Sequence, residues 1–187
     1  MASANPAIPP IVYGSFAGLI NQETLQKIFN TFAVAMNSGT VKQVHLLFQT
    51  TGGFVGDGIA LYNYFKTLPT DLTIYNTGAV ASIGVIAYLG AKTRKTSKYS
   101  AFMIHRTQRN PGSTTANMLK SLAESAVLDD KRTEAILREH LKLSAEKWND
   151  FDHYDLSFSA EEAVEIGLAH EIGEFQPPAG TKVFNIL

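Results

Sequence analysis

The 187-residue chain contains no cysteine. That absence excludes disulfide staples, thiol catalysis and any metal site built on thiolates. No two histidines stand at close ligand spacing, so no metal is expected. No Gly-x-x-x-x-Gly-Lys-Ser/Thr loop occurs, so ATP is not bound by that route, and no cofactor is expected. Neither sign of charge is in excess: 16 Lys and Arg face 17 Asp and Glu, a net charge of -1. This balance gives no support for nucleic acid or an anionic membrane as partner. The apolar stretch Gly78–Ala91 is too short and too broken by glycine to span a bilayer. The first residues, Met1-Ala-Ser-Ala-Asn-Pro6, lack a basic region followed by an apolar core, so a soluble cytoplasmic protein is expected. There is no internal repeat, low-complexity tract or linker. With 45% hydrophobic residues, positions 1–187 are expected to form one domain, with loose tails at 1–10 and 175–187.

What is present alternates between strand and helix signals. Ile11–Tyr13 reads as a short strand. Asn21 can cap a helix whose apolar positions Leu25, Ile28, Phe29, Phe32 and Met36 repeat at helical spacing, with Gly39 ending it. Val44–Phe48 is a buried-strand run, and Gly58–Phe65 suits a helix that stops before Pro69. Leu72–Tyr75 and Ala101–Ile104 are further strands, with a helix around Ser82 between them. The β-α-β-α-β pattern predicts an α/β fold with helices on a largely parallel sheet. Ser113–Leu143 is long and amphipathic, with Met118, Leu119, Leu122, Ala126, Ile136, Leu137 and Leu141 near one face. It is either a core helix or an arm that packs on another subunit. Ser159 and Glu162 form a capping-box pattern for a last short helix ending at Gly167.

Four features carry chemistry. Ser82 lies among small, uncharged residues that let another chain approach it and keep water out. His105 ends the apolar run Met103-Ile-His105. Asp155 precedes Ser159-Ala-Glu-Glu-Ala163. Gly52-Gly53 follows a strand, a candidate oxyanion turn. Each has a plainer reading: packing serine, core histidine, turn aspartate, strand-to-helix turn. The Gly-x-Ser-x-Gly elbow is not met, because Val80 stands where the first glycine belongs.

Taken in order, these pieces resemble the Clp protease proteolytic subunit family. Gly52-Gly53-Phe54-Val55, Gly78-Ala-Val-Ala-Ser82-Ile-Gly84, Met103-Ile-His105 and Asp155-Leu-Ser-Phe-Ser-Ala-Glu-Glu-Ala163 with Gly167-Leu168 match its motifs across roughly residues 11 to 172. The resemblance implies a ClpP-like, crotonase-like fold of stacked β-β-α units with a protruding handle helix. It implies a serine endopeptidase that cleaves unfolded proteins or peptides through an acyl-enzyme. Ser82 would be the nucleophile, His105 the base and Asp155 the group fixing the imidazole. The N–H groups of Gly53 and Ile83 would form the oxyanion hole. An extended substrate would pair with Phe54-Val55 on one side and Arg106-Thr107 on the other. The implied assembly is a homo-oligomer in which two seven-membered rings enclose a chamber, with an unfoldase ATPase as a possible partner. The sequence departs from the family where Arg106-Thr107 replaces the usual Gln-Pro, and where Tyr154 and Leu156 flank Asp155 in place of arginines. A crotonase-type acyl-CoA enzyme and a catalytically inactive ring subunit are the alternatives.

Overall fold

The computed structural model describes residues 8–186. The first seven residues of the expected N-terminal tail lie outside that range. Strand β1 (Ile11–Ala17) buries alternate residues, Val12 and Phe16 among them. Helix α1 (Gln22–Asn37) starts at Asn21, whose carboxamide accepts from the Thr24 N–H while Thr24 Oγ1 accepts from the Asn21 N–H, both at 3.0 Å. Two orphan donors are satisfied at once, which fixes the helix start. Ile28 and Phe32 bury its inner face.

Strand β2 (Gln43–Thr50) lies parallel to β1 from Ile11↔Gln43 to Ala17↔Gln49. Helix α2 (Val55–Thr67) ends at Leu68, before Pro69, and returns the chain to β3 (Asp71–Ala81), parallel to β2. The expected strand at Leu72–Tyr75 thus runs six residues further, up to Ser82. It is that long because it serves two neighbours in turn. Strand β4 (Thr93–Thr96) pairs with Thr73–Asn76, and β5 (Ala101–Ile104) pairs with Ala79–Ala81. Asn76 is fully buried at the join. Its Nδ2 donates to Ala101 O at 2.9 Å and its Oδ1 accepts from the Gly78 N–H at 3.1 Å, so the interrupted ladder leaves neither group unpaired.

Between β3 and β4 runs α3 (Ile83–Leu89), buried at every residue. Helix α4 (Ala116–His140) is followed by α5 (Ala145–Phe151), then β6 (Leu156–Ser159), which is antiparallel to β5. Helix α6 (Ala160–Glu165) carries the expected Ser159–Glu162 capping box. Strands β7 (Glu171–Ile172) and β8 (Val183–Asn185) complete an eight-stranded sheet of main order β6-β5-β3-β2-β1-β8, with β4 and β7 branching from β3.

Two expectations need correction or refinement. The C-terminal segment is not a loose tail throughout: β8 pairs in parallel with β1, and Ile186 is buried. The core-helix reading holds for the C-terminal half of α4 only. Leu137 is in the core, whereas Met118, Leu119, Val127 and Leu128 are exposed. Among the described residues no helix is long and apolar enough to cross a membrane.

Candidate active site

Ser82 occupies the single-residue hinge between β3 and α3. Its backbone, at φ 57° and ψ -132°, gives the only positive φ of a non-glycine residue among those described. Such a conformation costs about 1–3 kcal/mol and survives only where neighbours enforce it. Here the Ser82 N–H donates to Met103 O at 2.8 Å and Ser82 O accepts from Val85 N–H at 3.0 Å, which locks both sides of the hinge. The geometry is that of a strand-to-helix elbow that lifts a hydroxyl out of a buried sheet. The sequence pattern missed it because Val80, fully buried, fills the place of the first glycine. The second glycine is required: a Cβ on Gly84 would meet Thr50 Cγ2 at 2.3 Å.

His105 directly follows β5. Its Nε2 lies 2.8 Å from Ser82 Oγ and its Nδ1 lies 2.6 Å from Arg106 O. A carbonyl oxygen can only accept, so Nδ1 must carry the proton. Nε2 of the neutral ring is then the acceptor facing the serine hydroxyl, the tautomer a general base needs.

The glycine turn sits beside this pair. Ile20 O accepts from the Phe54 N–H at 2.9 Å and Ile20 N–H donates to Gly52 O at 2.8 Å, which pins the turn to the segment after β1. Gly53 has φ 155°, and a Cβ there would be 1.9 Å from Ile20 O. Among the described residues, the N–H groups of Gly53 and Ile83 have no acceptor. Both residues, with Ser82 and His105, line one cavity of about 240 Å³ whose apolar wall includes Val55, Ile86, Ile104 and Leu137. Phe54 is exposed and does not line it.

Asp155 is not joined to this pair. The antiparallel register ends at Ile104↔Leu156, one residue short of setting His105 opposite Asp155. The Asp155 side chain is exposed and makes no hydrogen bond or ion pair among the described residues. In this structure the partner of His105 Nδ1 is the Arg106 carbonyl.

Arg106 and Thr107 both line the cavity, and the Arg106 guanidinium and the Thr107 N–H are engaged within the chain. The Arg106 guanidinium donates to Glu134 at 2.7 Å and to Asp152, and stacks 4.4 Å from the Phe151 ring centroid. Burial opposes its charge, but the Asp152 and Glu134 carboxylates outweigh that and hold its pKa above the ordinary value. The Thr107 N–H donates to Asp130 Oδ1 at 2.7 Å, and Arg109 pairs with Asp129, itself also paired with Arg132. Sequence reading identified none of Asp129, Asp130, Glu134 or Asp152. Asp129 and Asp130 lie in the charged run Asp129-Asp-Lys-Arg132, which breaks the apolar pattern of α4, and no local signal marks Glu134 or Asp152.

The Clp protease family pattern matches residues 15–176. The ATP-dependent Clp protease proteolytic subunit 2 of Chlamydia trachomatis is 28% identical over 160 residues, covering 82% of this chain and 78% of the relative. The ATP-dependent Clp protease proteolytic subunit of Streptococcus pneumoniae is 32% identical over 136 residues, covering 71% and 69%. A solved ClpP1 mutant from Listeria monocytogenes superposes with a TM-score of 0.74 over 89% of this chain and 92% of that one. At 23% identity that likeness speaks for the fold alone. The chain has the ClpP fold and belongs to the Clp protease family of serine-type endopeptidases.

Proposed function

We propose that the chain cleaves extended peptide segments through an acyl-enzyme on Ser82, with His105 as general base. The observation that carries this reading is the Ser82 Oγ–His105 Nε2 contact of 2.8 Å, at a serine forced into a positive-φ elbow. His105 takes the hydroxyl proton as Ser82 attacks the scissile carbonyl, then returns it to the leaving amine. The N–H groups of Gly53 and Ile83 receive the oxyanion; one such donor is typically worth about 3 kcal/mol in the transition state. Val55 and the cavity's apolar wall take the substrate side chain, and Phe54, exposed beside the glycine turn, lies along the peptide. Asp155, one residue beyond the paired register, acts on the site only as a solvent-screened charge, without a bond to His105.

The assembly we propose is a homo-oligomeric ring, of about seven subunits and stacked in pairs, joined through the exposed half of α4. Met118, Leu119, Val127 and Leu128 are large apolar side chains of that half that a lone subunit leaves in water. Enclosing the active sites restricts access to unfolded chains and short peptides, and an unfoldase ATPase would deliver the former. Residues 1–187 act as one peptidase domain in this reading.

The test is labelling by a fluorophosphonate probe, read together with peptide cleavage. The wild-type chain is expected to be labelled at Ser82 and Ser82→Ala to lose both labelling and cleavage. Labelling that persists in Ser82→Ala, or none in the wild type, rejects the reading and returns the fold to acyl-CoA chemistry or a structural subunit.

A further inference from the structure

The peptide unit between Arg106 and Thr107 makes two hydrogen bonds in opposite directions. Its C=O accepts from His105 Nδ1–H at 2.6 Å, and its N–H donates to Asp130 Oδ1 at 2.7 Å. A peptide is planar and conjugated, so these two groups move as one body and polarise together. A carboxylate on the N–H pushes electron density onto the oxygen, which strengthens the bond that oxygen accepts. We infer that Asp130 is a positioning residue of this site: its carboxylate acts on His105 through the Arg106–Thr107 peptide, fixing the tautomer and favouring the charged ring that forms during attack. The inference rests on the reading of Ser82 and His105 as nucleophile and base.

The surroundings fit that role. The orientation of a single peptide plane must be held for the relay to work. On one side the Arg106 side chain is fixed by Glu134, Asp152 and Phe151. On the other, Arg109 is tied to Asp129, the residue before Asp130. Both ties lead to α4, whose Leu137 is anchored in the core. Asp130 is half-buried and among the described residues pairs with no cation, so its charge is not cancelled by a pair. The Asp155 side chain, in contrast, is exposed and makes no hydrogen bond or ion pair among the described residues.

Four variants separate this relay from a structural role: Asp130→Ala, Asp130→Asn, Thr107→Pro and the double variant Asp130→Ala with Thr107→Pro. Asp130→Ala removes the acceptor and is expected to lower kcat about tenfold with KM within about twofold. Asp130→Asn keeps an acceptor without the charge and is expected to recover part of that loss. Thr107→Pro deletes the donor, and the double variant is expected to be no worse than either single one, because both break the same link. The direct readout is the ¹⁵N spectrum of histidine-labelled protein. The Nδ1–H tautomer of His105 should be single in the wild type and in Asp130→Asn, and mixed in Asp130→Ala.

Wild-type kcat in Asp130→Ala, or an unchanged His105 tautomer in a variant that has lost activity, overturns the inference. So does a tautomer that responds to Asp155→Asn and not to Asp130→Ala. Should Thr107→Pro fail to fold, the comparison of Asn with Ala at position 130 decides alone. Failure of the peptidase reading itself appears elsewhere, as cleavage or labelling that survives Ser82→Ala.

Discussion

A Cβ placed on Gly52 would lie 2.6 Å from the Cβ of Ser82 and 3.1 Å from its Oγ. The glycine turn and the elbow therefore touch at a distance that admits no side chain on the turn. Ser82→Ala is expected to lose cleavage yet keep its fold, because the change only removes a hydroxyl. It also keeps the strained φ of 57°. Ser82→Gly relieves that strain and is expected to be more stable than Ser82→Ala by about 1 kcal/mol. Thermal unfolding of the two inactive variants checks this. An Ala variant that melts higher than the Gly variant would show that the elbow stores no strain.

Asp155→Asn is expected to lower kcat about tenfold, far short of the roughly ten-thousandfold loss seen when a triad carboxylate bonded to its histidine is removed. The reason is that a solvent-exposed charge acting through water is strongly screened. The effect should shrink further at high salt. Steady-state kinetics at two ionic strengths measure it. A loss of a thousandfold or more would mean that Asp155 bonds His105 in the working enzyme.

The two halves of α4 should respond differently to charge. Leu137→Asp puts a carboxylate into the core beside the cavity and is expected to cost about 3–5 kcal/mol, enough to unfold much of the population. Leu128→Asp alters an exposed position and should leave the subunit folded while it dissociates the oligomer. Circular dichroism and sedimentation velocity distinguish these outcomes. An intact assembly in Leu128→Asp would move the interface away from this face.

Stability should fall on acidification through the histidines. His140 is held below its ordinary pKa by burial first and then by Arg94, with Lys66 and His170 adding to the repulsion and Glu139 opposing it. His170 is lowered by burial and by Arg94, and its Nδ1 accepts from the Arg94 N–H at 3.1 Å, which a protonated Nδ1 cannot do. His45 is lowered by burial and by Lys95. For each, the unfolded chain binds the proton more tightly than the folded one. The stabilising contribution is therefore complete above the unfolded value of ~6.5 and is lost as pH falls from there through the depressed folded values. Melting temperature recorded from about pH 8 to pH 5 should drop below about pH 6.5, and His140→Gln should flatten the drop. A melting temperature that rises on acidification would contradict the neutral histidines.

The sequence made the repeating and capped elements legible. The Asn21 and Ser159 caps, the apolar period of α1 and the run Ala101–Ile104 stand where their local chemistry puts them. Elements set by long-range pairing were not legible. Strands β4, β6, β7 and β8 are two to four residues each and carry no periodicity of their own. The strand end at Gly78–Ala81 reads as part of a helix because small residues suit both states, and only β5 decides between them. At the site, Ser82, His105 and Gly53 could be named from motif order. The acidic residues of α4 that hold the segment after His105 could not, because contacts between Asp130 and Thr107 or Glu134 and Arg106 join positions more than twenty residues apart. The acceptor on His105 Nδ1 is a backbone oxygen, a group every residue possesses, so no residue type could announce it.

The strand at Val183–Asn185 closes the free edge of the strand at Ile11–Ala17, from the opposite end of the described chain. During synthesis the strand at Ile11–Ala17 emerges long before its edge partner at Val183–Asn185. Until then a row of unpaired amides and carbonyls, flanked by Val12 and Phe16, remains open to pairing with any neighbouring chain. The closing contact is non-local in the extreme, so it forms late and its loop entropy is met only after the rest of the sheet has assembled. Chaperones and neighbouring nascent chains therefore have their widest opportunity to engage this edge before the strand at Val183–Asn185 docks.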